Sequence, residues 1–181
     1  MALTTLENVR AWLNVTSTAD DALLTRMIEA ASAFIETWLG RKILSANYVE
    51  TRDGALGTRL ITRNYPVTAV ASVVSDGITI PLAASVSEHG YVFWPWGLAL
   101  RGHGFTRGYG NVVISYTAGY ASVPADIEQA CCELVGLRYK ERDRIGFVSK
   151  TLAGETVTFS TKDMSASIKT TLQGYKAVVP V

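Results

Sequence analysis

Apolar residues recur at helical spacing near both ends of the chain, and in short interrupted runs between them. Leu6, Val9 and Leu13 lie one helical turn apart, and Thr4 followed by Glu7 fits a capping box at the start of that helix. Asn14 to Thr18 reads as a turn. Thr18 and Asp21 repeat the capping pattern ahead of a long helix reaching about Leu39. In it Leu23, Met27, Ala31, Phe34 and Trp38 form one stripe, with Leu24, Ile28, Ile35 and Leu39 beside it. So wide a stripe suits a helix packed on more than one neighbour. Gly40 is the natural stop.

From about Ala46 to Thr117 the pattern changes to short strands separated by turn residues. Tyr48–Thr51, Leu60–Thr62, Val67–Val74, Ile78–Leu82, Tyr91–Trp94 and Val112–Tyr116 are the predicted strands. Asp53-Gly54 and Asp76-Gly77 both read as turns. Pro66 and Pro81 belong at strand starts or edges. A helical pattern then returns after Pro124, with Asp126 and Glu128 favourable in its first turn. Ile127, Cys131, Leu134, Val135 and Arg138 share a face, which makes Cys131 a small core residue. This helix is expected to end near Arg144. A strand pair at 148–152 and 155–159 turns at Gly154, and a short helix runs from about Ser165 to Tyr175. The tail from Ala177 to Val181 is apolar and needs something to pack on.

The predicted class is therefore α+β. Helices at 1–45 and 118–145 form a body, a small antiparallel β lobe is inserted at 46–117, and a hairpin, short helix and tail occupy 146–181.

The 181 residues carry 17 basic and 16 acidic side chains, so nothing marks a strongly polyanion-seeking protein. Charged residues are only 18%, against about 25% in an average soluble domain, which hints at surface covered by another chain. The start of the chain predicts no signal peptide, and no apolar run is long enough to predict a membrane span. The adjacent Cys131 and Cys132 suit a reducing compartment rather than a cross-link.

The search for chemistry is short. His89 and His103 fall in predicted loops with no ligand at metal spacing, and no nucleophile elbow occurs, so neither catalysis nor a cofactor is expected. Arg101 to Gly110 is rich in glycine, arginine and aromatics. It leads into a strand rather than a helix, which argues against a phosphate loop. It reads as a flexible hairpin loop or, through Arg101 and Arg107, as a nucleic-acid contact. Trp94 and Trp96 flank a proline and serve either a partner (a carbohydrate or a protein) or the lobe's own core. Arg138, Lys140, Arg142 and Arg144 crowd a helix C-terminus. There they complement the helix dipole or form a basic surface towards a polyanion or another subunit.

Several segments, in order, carry a resemblance. They are Leu3-Thr4-Thr5-Leu6-Glu7-Asn8-Val9 with Trp12-Leu13, Asp20-Asp21-Ala22-Leu23-Leu24, and Ile28-Glu29-Ala30-Ala31-Ser32 with Gly40-Arg41. Tyr65-Pro66-Val67, Tyr116-Thr117-Ala118-Gly119-Tyr120, Val123-Pro124-Ala125-Asp126-Ile127 and Leu172-Gln173-Gly174-Tyr175-Lys176 follow. In these the chain resembles the head–tail connector (adaptor) proteins of tailed bacteriophages. The resemblance implies a helical bundle body, an extended C-terminal arm, and no catalysis. It implies a homo-oligomeric ring, generally a dodecamer, in the virion neck beneath the portal protein. Such a ring extends the channel for double-stranded DNA and docks a tail-side stopper or tail completion protein. Assembly would take place in the host cytoplasm, with no membrane. Leu172, Tyr175, Lys176, Val178 and Val179 would then belong to the portal-binding arm, and Arg138, Lys140, Arg142 and Arg144 to the channel or an intersubunit surface. The β lobe is larger than in compact relatives, and its Trp94, Trp96 and glycine-rich loop, with Arg101 and Arg107, would brace neighbouring subunits or hold tail-side factors.

Overall fold

Thr5, rather than Thr4, starts the first helix: its side chain accepts from the Asn8 N–H at 3.2 Å. Thr4 is one residue too early and is needed elsewhere. It is buried, with its hydroxyl 3.1 Å from the Cys132 Sγ. The structure, a computed structural model, describes residues 2–142, 149–152, 155–158 and 164–177. Helix α1 spans Leu6–Leu13 and closes on Asn14 in the left-handed region. Helix α2 spans Asp21–Leu39 and closes on Gly40 at φ 70°. Its cap position is Asp20, not Thr18, and the Asp20 carboxylate serves Tyr139, whose hydroxyl donates to it. Leu24, Ile28, Ala31, Ile35 and Leu39 are the buried stripe of α2, while Leu23, Met27, Phe34 and Trp38 are half-buried beside it.

Helix α3, Ala125–Glu141, ends short of the expected Arg144. It packs against α1, α2 and α4 (Ala166–Gln173), and buries Ile127, Cys131, Leu134 and Val135 completely. Helix α4 is capped by Ser165, which accepts from the Ile168 N–H. These helices belong to one compact unit, built from the stretch up to Gly40 and the stretch from Val123 to Lys176.

The second unit, Arg41–Ser122, holds seven strands. They are β1 (Ala46–Gly54), β2 (Arg59–Ile61), β3 (Val67–Ser75), β4 (Ile78–Ile80), β5 (Gly90–Trp94), β6 (Gly97–Arg101) and β7 (Gly108–Ala118). They pair antiparallel as two sheets, β1-β7-β3-β4 and β2-β6-β5. Strand β6 was not expected, because Gly97 and Ala99 are poor strand formers. The long β7 is central: Val112, Ile114, Tyr116 and Ala118 alternate into a core shared with Val73, Leu98 and Phe105. A last pair, β8 (Ser149–Leu152) and β9 (Glu155–Thr158), forms an antiparallel hairpin; Gly154 lies outside the described residues.

The two Asp-Gly dipeptides part company. Asp76 and Gly77, at φ 52° and 79°, make the two-residue turn between β3 and β4. Asp53-Gly54 instead ends β1, and is no turn. Gly54 lies so close to the loop between β6 and β7 that an added Cβ would stand 1.8 Å from the Thr106 carbonyl oxygen.

Candidate functional site

No group of three or more histidine, cysteine or acidic side chains capable of holding a metal occurs among the described residues. His89 and His103 are exposed, with ring centres 6.5 Å apart. Burial pushes the Cys131 thiol up to about 11, and a thiol so held is a weak nucleophile at neutral pH. Among the described residues, the buried carboxylate with a dense set of partners is Glu50. It accepts from the Tyr116 hydroxyl at 2.7 Å, the Arg63 N–H at 3.2 Å and Arg52 at 3.0 Å. Burial, then the bond to Glu50, raises the Tyr116 hydroxyl to about 12. This cluster ties β1 to β7 and presents no open face to a substrate, since Glu50 and Tyr116 are both buried.

In the C-terminal segment, Leu172 is fully buried in the helical unit, and the Tyr175 hydroxyl donates to Asp126 at 2.7 Å. The Lys176 ammonium sits 5.2 Å from the Trp38 ring centre. These three grip their own chain. Val178 and Val179 lie outside the described residues, as does Arg144. In the basic run, Arg138 stacks over Phe34 at 4.8 Å, and Arg142 over Tyr139 at 3.9 Å while donating to the Tyr139 carbonyl. Lys140 is exposed.

In the β unit, Trp94 and Trp96 are not a matched pair. Trp94 ends β5 opposite Gly97, half-buried. Trp96 stacks on Tyr65 at 4.6 Å, and Tyr65 carries Arg41 on its ring at 3.8 Å. Half of Trp96 remains exposed (51%). Arg101 donates to the Ser85 carbonyl at 2.8 Å. The glycine-rich stretch is pinned, contrary to the flexible loop expected. Phe105 is buried, with its N–H on the Gly57 carbonyl at 2.9 Å. Asp76 accepts from the Thr106 hydroxyl and from Asn111 at 3.0 Å, bonds that hold its carboxyl below the usual range. Asn111 accepts the Gly54 N–H at 2.8 Å, and Asp53 accepts the Gly110 N–H at 2.6 Å.

What sequence reasoning missed is the tip this network supports. Leu56, at φ 59°, is 71% exposed, Tyr109 is 97% exposed, and they flank exposed Arg107 around an open cleft of about 410 Å³. Positive φ at Leu56 has no signature in composition. Tyr109 was visible only as one letter of the glycine-rich run. A second surface lies on the helical unit: an open groove of about 380 Å³ between α1 and α3, with Trp12 half exposed along it.

Three comparisons bear on these surfaces. The family profile described as "Head completion protein" matches residues 2–178. Among solved structures, a chain of the "Neck of empty GTA particle computed with C6 symmetry" is similar at TM-score 0.60 and 19% identity, over 99% of this chain and 92% of that one. A chain of the "Neck of native GTA particle computed with C12 symmetry" gives 0.57 and 20%, over 99% and 91%. A chain of the "Virion of native gene transfer agent (GTA) particle" gives 0.60 and 21%, over 99% and 92%. The curated proteins yield no match.

Proposed function

Because this chain belongs to the head completion protein family, we propose that it is a structural subunit of a virion neck, working by assembly and catalysing no reaction. The observation that carries this reading is the family match over nearly the whole chain. The shared fold with chains of neck structures computed with six- and twelve-fold symmetry adds support. In this reading twelve copies form a ring beneath the portal protein, the helical bundle body and β lobe build the wall, and the ring continues the DNA channel and docks a tail-side protein. The C-terminal arm meets the portal. Since Leu172, Tyr175 and Lys176 are held by the helical unit, the reaching part of the arm begins after Lys176, with Val178 and Val179 as its apolar contacts. A near-neutral chain suits a channel that must let DNA slide, because each added phosphate contact would steepen binding.

The test is binding to purified portal rings by the full chain and by a truncation after Ala177. The full chain is expected to bind and the truncation to remain folded but unbound. Equal binding by the truncation would overturn the arm assignment, and no binding by either would overturn the neck reading.

A further inference from the structure

The two units differ in charge. Residues 41–122 hold seven basic and four acidic side chains, a net of +3. The helical unit, 1–40 and 123–176, holds ten basic and twelve acidic, a net of −2. They differ in exposed apolar surface as well. Among the described residues, Trp12 is the one large exposed apolar side chain outside the β unit, which carries Leu56 and Tyr109 with several others.

We propose that the Leu56–Arg107–Tyr109 tip of one copy seats in the Trp12 groove between α1 and α3 of the neighbouring copy. The inference rests on the ring reading above and names the surfaces that close the ring. The tip has the features of a binding element. Leu56 is held in a left-handed conformation that costs a non-glycine residue about 1–2 kcal/mol. Its partner loop is fixed by Phe105, Asp76, Thr106 and Asn111, so little ordering entropy remains to be lost on docking. Tyrosine and arginine are also the residue types that dominate contact energy.

The groove complements it. Asn8, Ala11 and Trp12 line one wall, and Ala125, Glu128 and Cys132 the other. Glu128 Oε1 accepts from Asn8 at 2.7 Å, and its second oxygen is the acceptor assigned to Arg107. The charges choose between geometries. Tip against tip would bring positive units together, and groove against groove negative ones. Tip in groove joins opposite signs. Such a contact is head-to-tail, the kind that closes rings.

The test uses a short bis-maleimide on assembled protein in a cysteine-free background, Cys131→Ala with Cys132→Ser. Copies carrying Tyr109→Cys are mixed with copies carrying Trp12→Cys. A linked pair that appears only in the mixture is expected. A ladder is expected when both changes sit in one chain. Intact rings without a link, a link within one chain, or Tyr109→Cys linking to itself would each overturn the proposal. A second route keeps the native cysteines. Arg107→Glu with Tyr109→Ala is expected to leave melting unchanged and to raise the concentration for half-assembly at least tenfold. Unchanged assembly would overturn the tip's role. Failure of the unaltered chain to form rings, with portal present, would count against the ring reading itself.

Discussion

The helical unit hides its apolar surface and the β unit displays much of its own. In the first, α3 is buried against three other helices, and the charges sum to a slight negative excess, twelve acidic against ten basic. In the second, a packed core around Ile114 and Tyr116 coexists with exposed Leu56, Trp96 and Tyr109, over a net positive charge. Exposed aromatic and aliphatic residues beyond what a core needs mark surfaces meant for another chain. In the proposed contact, the helical unit supplies a groove between packed helices and the β unit supplies the exposed tip that fills it.

If that division holds, the largest stability losses should come from α3. Leu134→Ala removes a fully buried side chain and should cost about 3–4 kcal/mol, measured as a fall in denaturant midpoint. A loss below about 1 kcal/mol would show that α3 is not the core of its unit. In the β unit, Gly54→Ala should cost about 3 kcal/mol, because its Cβ meets backbone that cannot yield. Gly77→Ala, with no atom within 4 Å but φ 79°, should cost only about 1 kcal/mol. Equal losses in thermal melts would erase the contrast between the two Asp-Gly sites.

A smaller effect comes from alkali. Tyr116 is raised from near 10 to about 12 when folded, so the native state holds its proton longer than the unfolded chain does. Its contribution is full below pH 10 and fades as pH rises through 12. Cys131, raised to about 11, behaves alike between pH 9 and 11. Tyr116→Phe should flatten the loss of stability between pH 10 and 12 in urea titrations; an unchanged slope would remove Tyr116 as its source.

Much of the fold was legible because helices announce themselves by period. The C-terminal limit of α2 fell where Gly40 put it, and Asp76-Gly77 made the turn its residue types require. The failures were cases where a neighbour distant in sequence decided. Thr4 lost its capping role to a buried place beside Cys132, and Asp53-Gly54 lost its turn to the close approach of Thr106. Strand β6 went unseen because its place is set by pairing with β2, where Gly97 sits opposite Ile61 and close against the Leu60 carbonyl, a packing fact with no local pattern. The Leu56–Tyr109 tip was hidden for the same reason: residues 53 positions apart join only after β1 and β7 have paired.

The most direct test of the central claim, a subunit built to assemble, is the native mass of the full chain with and without purified portal rings, followed by imaging of any large species. A ring of about twelve copies, alone or templated on the portal, is the predicted result. A chain that stays monomeric in both conditions would contradict it.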